Sequence, residues 1–387
     1  MNILLVDYFI FIIFASVIVY PIITSNNIFF KVQFLLIAYP ILALGWIKLS
    51  STTSRIMKTY YEYYGGYIDN AIVILTLAYV VIFILCYREC RAQNVQLVFF
   101  KLTNGIRLCF LVLSVLTCFI AFPKAMFVGS ERFGSLGSVA LISLLVVLLS
   151  KEKDNNVVTN LARAFCVFMM VRGERVDFIL PFIFSFFVNV NFKLDSKIAL
   201  LLVFSFVLLL ASGMYRSGEN LEHIDIYSML IVGTVVDVLH IYLSSILVHA
   251  NGLSEPAFLY DDLLSFIGLG GMIREMLDVP TLSAYLSNNF ASNVGGGIMI
   301  STGVISYGLP GALVLALMYA LFTKLIFKLS TNRFVSLFFF MFFVTQFRFL
   351  WYGLFYFSNK IIICAVFVFL LYILEKGCSV YVKDKYI

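Results

Sequence analysis

Residues 157–191 read VVTNLARAFCVFMMV-RGER-VDFILPFIFSFFVNVN, two apolar runs separated by a short charged turn. Each run, Val157–Val171 and Val176–Asn191, is apolar enough for a helix that enters a membrane. Positions 172–177 hold four charged residues, although only 12% of the chain is charged. Charge of this density at a membrane edge is costly unless it has a use. The stretch therefore predicts membrane helices on both sides of a functional turn.

The composition of the whole chain agrees with this interpretation. Of its 387 residues 62% are hydrophobic, and the mean hydropathy is +1.01. Such values predict an all-α, polytopic integral membrane protein, with residues 1–387 forming a single membrane-embedded domain. The net charge of +6 reflects the basic loops of such a protein, so no nucleic-acid partner is expected.

Apolar runs of sufficient length predict about eleven transmembrane helices, within a range of 10–12. The predicted spans are 3–23, 28–47, 70–87, 106–127, 135–150, 157–171, 176–192, 197–213, 294–322, 333–351 and 360–375.

The distribution of lysine and arginine predicts the orientation, because cytoplasmic loops accumulate both residues. The loops at 88–107, 151–154, 193–197 and 324–333 and the C-terminal tail are basic and alternate correctly, so they are expected inside. The outward loops then carry mostly arginines: Arg132, Arg172, Arg175, Arg216, Arg274 and, at the end of its span, Arg348. One guanidinium group can bind two phosphate oxygens at once. The outward arginines therefore indicate a polyanionic ligand that approaches from the outer face.

Residues 212–293 form a long outward, periplasmic loop in this topology. The loop contains nine of the 21 acidic residues and all three histidines. It is longer than connectivity requires, and its apolar part at 229–249 predicts amphipathic or re-entrant helices.

Arg172, Gly173 and Arg175 are candidates for an anion clamp, because glycine lets the backbone approach a ligand held by two guanidinium groups. Glu174 and Asp177 belong to the same cluster. The competing interpretation is an ordinary charged turn whose Arg and Glu side chains pair with each other and with lipid headgroups.

His240 and Asp237 are candidates for a general base and its orienting carboxylate. The two lie three residues apart, on one face of a helix, and a carboxylate commonly holds an imidazole in the tautomer that accepts a hydroxyl proton. His223 and His249 compete for the same role. A structural hydrogen bond by an interfacial histidine is the alternative.

Three further features allow two interpretations each. Asp261-Asp262 fits a divalent-metal site or a solvated turn. Gly295-Gly296-Gly297 fits a phosphate contact or close helix packing. Arg348 fits a buried functional cation or a side chain that extends to the interface.

Several mechanisms lack their motifs. The chain has no P-loop, no HExxH helix and no GxSxG elbow, which argues against an ATP-driven pump, a zincin and a serine hydrolase. Cys86-x-x-x-Cys90 has no second pair or nearby histidine, so a zinc site is not expected.

With these features the chain resembles the Wzy-type O-antigen polymerases, which join oligosaccharide repeat units. The resemblance rests on chain size, the number of spans, Arg172-Gly173-Glu174-Arg175 at the head of a span, and the late outward loop. Gly295-Gly296-Gly297 followed by Tyr307-Gly308-Leu309-Pro310-Gly311 completes it.

The resemblance implies a GT-C-like membrane glycosyltransferase that is inverting and independent of metals and cofactors. Its substrate would be a glycan linked to undecaprenyl diphosphate, at the periplasmic face of the bacterial inner membrane. Membrane lipid and a chain-length regulator protein would be its other partners.

The residues and the resemblance together give a site hypothesis. Arg172 and Arg175, with Arg348 or Arg274, bind the donor diphosphate. His240 is the base, with Glu174 or Asp237 as substitutes.

Two other classes remain open. An O-antigen ligase, or another outward-facing membrane transferase, needs the same diphosphate clamp and base. A lipid-oligosaccharide flippase is expected to show two related halves and charge in a central cavity, whereas charge here concentrates on one face.

Overall fold

The computed structural model describes residues 2–50, 55–92, 100, 102–121, 134–150, 157–171, 175–187, 236–289, 297–330 and 332–383. These residues are helical apart from short turns and a single β-bridge between Phe100 and Ser150. The prediction of an all-α protein is confirmed for this part of the chain.

Sixteen helices are present in the described ranges, and several end at a proline, glycine or polar turn. They are α1 (Asn2–Thr24), α2 (Ile28–Ser50), α3 (Arg55–Arg91), α4 (Asn104–Ala121), α5 (Gly134–Leu148), α6 (Val157–Val171), α7 (Arg175–Phe187), α8 (Val236–Ala250), α9 (Ala257–Ser265), α10 (Met272–Met276), α11 (Leu282–Asn289), α12 (Ser301–Tyr307), α13 (Leu309–Leu329), α14 (Arg333–Val344), α15 (Gln346–Tyr352) and α16 (Phe355–Lys383).

The protein is embedded in a membrane, as its long apolar helices indicate. Within the described residues, five helices are long and apolar enough to cross a bilayer: Ile28–Leu49, Glu62–Arg91, Asn104–Ala121, Leu309–Leu329 and Phe357–Glu375. Large apolar side chains on these helices are exposed, among them Ile84, Leu116 and Phe369. Such side chains are stable facing lipid and would be costly facing water.

The chain divides into two compact units. The first contains 1–94, 218–325 and 346–356, and the second contains 95–217, 326–345 and 357–387. Helices α13 and α16 each contribute residues to both units.

The first unit is built on the packing of α2 against α1 and α3. Phe34 of α2 lies edge-on to Tyr79 and Phe83 of α3. The Tyr79 hydroxyl donates to the Ile18 carbonyl at 2.7 Å. Bulky aromatic contacts of this kind fix the register of helices in a membrane, where the hydrophobic effect does not drive helix association.

The second unit packs α4, α5, α6, α7 and α14. Among its described charged side chains Arg107 is the most buried, at 1% exposed. The guanidinium donates to Asn104 Oδ1 on its own helix, to Ser150 Oγ and to Thr159 Oγ1. Arg107 thus ties the start of α4 to the end of α5 and to the start of α6.

Two of the predicted single spans are broken. Residues 301–307 and 309–329 are separate helices, because Gly308 has φ +63 and cannot continue a helix. The predicted span 333–351 is interrupted at Thr345, between α14 and α15. The predicted span 197–213 lies outside the described residues, and the total of about eleven spans stays a prediction.

The described part of the predicted long loop, 236–289, consists largely of the helices α8, α9, α10 and α11. Ile241, Val248, Phe258, Leu286 and Ile305 form one buried apolar cluster there. Apolar residues from four separate helices, α8, α9, α11 and α12, thus hold this part of the first unit together.

Candidate functional site

A hydrogen-bonded group of three side chains joins α8 to α3 in the first unit. The Tyr64 hydroxyl lies 2.7 Å from His240 Nδ1 and 3.0 Å from Ser244 Oγ. His240 and Ser244 are one helical turn apart, so both face α3. Tyr64 is 2% exposed, and its ring meets the imidazole edge-on at 5.6 Å. The imidazole of His240 is therefore held in one orientation by a buried phenol.

This group can hold or move a proton. A tyrosine hydroxyl both donates and accepts hydrogen bonds, and an imidazole nitrogen can accept a proton from a hydroxyl group. Tyr64 Oη contacts both His240 and Ser244, so the phenol hydroxyl links the imidazole to the serine hydroxyl. The arrangement is that of a general base with an orienting partner.

The predicted partner of His240 was Asp237. Asp237 lies on α8, three residues before His240, and its side chain is outside the described part of the structure, so this pairing stays a prediction. Tyr64 was missed because it is 176 residues away in sequence. The only signal was the run of tyrosines around it, Tyr60-Tyr61-Glu62-Tyr63-Tyr64.

His249, a competitor for the role of base, is held by a turn. Its Nδ1 lies 2.8 Å from Ser254 Oγ. A Cβ on Gly308 would come within 2.6 Å of His249 Nε2. The glycine therefore gives the imidazole its space beside the junction of α12 and α13.

Arg274, a predicted diphosphate ligand, forms an ion pair with Asp261. Arg274 Nε donates to Asp261 Oδ2 at 2.7 Å, and the side chains are 13% and 2% exposed. Asp261 Oδ1 also accepts from the Ile273 backbone N–H at 3.1 Å. The Asp261 carboxylate thus joins α10 to α9. To bind a phosphate, Arg274 would have to contact it while also paired with Asp261.

Asp262 has a different hydrogen-bond partner from Asp261. It accepts a hydrogen bond from Thr302 Oγ1 at 2.5 Å and is 4% exposed. Burial raises the pKa of the Asp262 carboxyl to about 7. The adjacent aspartates therefore have separate partners, one on α10 and one on α12.

Arg348 lies on α15 and is 7% exposed. Two contacts anchor this short helix: the Met299 N–H donates to the Leu350 carbonyl at 2.9 Å, and Trp351 Nε1 donates to the Leu36 carbonyl at 2.7 Å. A guanidinium buried beside membrane helices is rare and usually functional. The structure therefore favours the buried position over extension to the interface.

The predicted clamp belongs to the second unit. Arg172, Gly173 and Glu174 lie outside the described residues, and Arg175 begins α7 with its side chain outside them as well. Asp177 lies in the first turn of α7. The roles predicted for these residues stay predictions.

Gly297 is the one described member of the predicted glycine run. A Cβ there would lie 2.7 Å from Ile241 Cγ2 and 2.8 Å from Ser301 Oγ. Close packing of α8 against the start of α12 therefore requires glycine at this position.

Within the described part of the chain, no three His, Cys, Asp or Glu side chains are grouped to hold a metal ion. No family model matches the chain, and neither a curated protein nor a solved structure is similar to it. Fold and site thus define a class, an all-helical membrane protein with buried, hydrogen-bonded titratable groups.

Proposed function

We propose that this protein is a membrane glycosyltransferase that polymerises oligosaccharide repeat units linked to undecaprenyl diphosphate. The observation that carries the proposal is the Tyr64–His240–Ser244 group, an imidazole oriented by a buried hydroxyl on helices of a membrane protein. An oriented imidazole is what deprotonation of a sugar hydroxyl requires. The wider topology proposed with it is a GT-C-like fold of about eleven spans, with the site on the periplasmic face of the bacterial inner membrane.

The proposed step is an inverting substitution at the anomeric carbon of the donor. His240 takes the proton of the acceptor hydroxyl, and the acceptor oxygen forms a bond to the anomeric carbon. The bond from that carbon to the diphosphate oxygen breaks, and the diphosphate leaves with the electron pair. Arg172 and Arg175, with Arg348 or Arg274, stabilise the developing negative charge.

The burial of Arg348 supports the proposed stabilisation of the leaving diphosphate. Arg348 is 7% exposed, and a guanidinium keeps its charge where desolvation would neutralise a lysine. Glu174 and Asp237 are the alternatives to His240 as base. A chain-length regulator protein is the proposed partner, besides the lipid-linked glycan and membrane lipid.

A ligase that transfers the finished glycan would use the same groups, and the products separate the two enzymes. A cell that lacks a polymerase places single repeat units on the final carrier, whereas a cell that lacks a ligase leaves polymer on the isoprenoid. A cell that lacks a flippase instead keeps the lipid-linked repeat unit on the cytoplasmic side.

The clamp is tested by the length of the polymer ladder in cells that carry Arg175→Ala or Arg175→Lys. We expect the alanine variant to lose the ladder and the lysine variant to shorten it, because lysine lacks the paired guanidinium contact. Arg88→Ala, at an exposed position on α3, is the matched control, and expression of each variant is measured. Full ladders from both Arg175 variants would contradict the clamp.

A further inference from the structure

The segment between α9 and α10 reaches far along a membrane-crossing helix. Helix α9 runs antiparallel to α12, as three contacts in register show. The Leu259 N–H donates to Ser306 Oγ at 3.1 Å. The hydroxyls of Tyr260 and Tyr307 are 3.0 Å apart, and the Asp262 carboxylate meets Thr302. Helix α9 therefore starts at the end of α12 that leads into α13 and runs away from it.

Helix α13 turns back along α12. A Cβ on Gly303 would come within 2.4 Å of the Gly311 carbonyl oxygen, so the two backbones are in direct contact. Because α9 and α13 both run antiparallel to α12, they run in the same direction. Each further residue of α9 thus lies deeper along α13.

The ring of Phe266, the residue after α9, gives the depth. It contacts the ring of Phe322 with a centroid distance of 5.2 Å. Phe322 is thirteen residues past Leu309, the first residue of α13, which is about 20 Å along the helix axis. Residues 309–329 are apolar and long enough to cross a bilayer, whose hydrocarbon core is about 30 Å thick. Phe266 therefore lies at hydrocarbon depth.

The side chains that follow Phe266 suit that environment. Ile267 is 63% exposed, Leu269 44% and Met272 47%. The neighbouring face of α13 is exposed and apolar in the same way at Leu321 and Leu325. Exposed apolar side chains of this size would be disfavoured by water and covered by acyl chains.

The chain then turns back. Gly268 and Gly271 have φ +87 and +93, values that allow the sharp turn between α9 and α10. The Arg274–Asp261 ion pair joins α10 to α9. Helix α11 returns to the cluster that contains Ile241 and Phe258, so the segment enters and leaves at the same end of α13.

We propose that residues 266–272 form the tip of a re-entrant hairpin inserted into the bilayer beside α13, with Ile267, Leu269 and Met272 in contact with lipid acyl chains. The ion pair between Arg274 and Asp261 joins the two sides of this hairpin. The inference does not depend on the proposed enzymatic activity.

The test is the lipid exposure of a cysteine placed at the tip. Ile267→Cys and Leu269→Cys, in the full chain reconstituted in phosphatidylcholine vesicles, are labelled with a bimane fluorophore. Asn251→Cys, exposed at the turn after α8, is the matched control. The labelling and fluorescence of the wild-type chain are subtracted as background, because its native Cys109 is exposed and can also react.

We expect phospholipids brominated on their acyl chains to quench bimane at both tip positions and to leave the control unquenched. A membrane-impermeant maleimide should react several-fold more slowly at the tip than at Asn251→Cys. Tip cysteines that react as fast as the control and escape quenching would overturn the hairpin, whether or not the protein polymerises glycans.

Discussion

Tyr64 is the residue on which the candidate site depends most, because its hydroxyl contacts both His240 and Ser244 from another helix. Sequence patterns predicted His240 as the candidate base, since histidine is rare here and a carboxylate stood one turn away. They could not predict Tyr64, because nothing local distinguishes it from its tyrosine neighbours. Tyr64 and His240 are 176 residues apart. Their contact results from the packing of α8 on α3, which no short sequence motif encodes.

Tyr64→Phe should destabilise the protein by roughly 1–3 kcal/mol, because it removes a buried hydroxyl and leaves two polar partners behind. It should also shift the pH profile of any activity that uses His240, since the imidazole loses a hydrogen bond at Nδ1. Tyr63→Phe, at a neighbour that is 54% exposed, is the control. Equal thermal midpoints in detergent for the two variants would contradict this role for Tyr64.

Asp262 should make stability depend on pH. Its pKa is raised from 3.8 to about 7 by burial, so the folded protein keeps a proton that the unfolded chain releases. The associated stability is present below the unfolded pKa and is lost as pH rises through the folded pKa. Between pH 5 and pH 8 the loss should be roughly 2–3 kcal/mol.

Asp262→Asn carries no titrating group and is the matched comparison. Unfolding midpoints of both proteins are measured at the two pH values. The wild-type midpoint should fall relative to that of the variant as pH rises, and an unchanged difference would show that Asp262 titrates normally.

The pair of helices α12 and α13 shows what the sequence predicts at the level of elements and what it misses. An apolar run over 294–322 predicts a span, and its residues are indeed helical from Ser301 onward. The break at Gly308 was missed, since a glycine inside an apolar run also occurs in continuous helices. Gly308 has a φ of +63 and lies beside the His249 ring. Both features depend on the tertiary structure and cannot be predicted from the local sequence.

Gly303→Ala should separate α12 from α13 and destabilise the protein by roughly 2 kcal/mol or more, because the new methyl group would overlap backbone atoms that cannot move aside. Gly66→Ala on α3 is the control, since a Cβ there meets nothing within 4 Å. A thermal midpoint for Gly303→Ala that equals that of Gly66→Ala would contradict the close crossing.

At the scale of the whole molecule, composition was sufficient to predict an all-helical membrane protein. The two compact units were not predicted, because each is assembled from three separate parts of the chain and no linker marks the boundary. The site hypothesis draws Arg172 and Arg175 from one unit and His240, Arg274 and Arg348 from the other.

The most direct test of this account uses the purified protein in vesicles with a single undecaprenyl-diphosphate-linked repeat unit and a metal chelator. We predict that the wild-type chain forms polymer, that His240→Gln leaves the repeat unit unextended, and that His249→Gln extends it. Failure of the wild-type chain to extend the repeat unit, or equal extension by His240→Gln, would contradict the account.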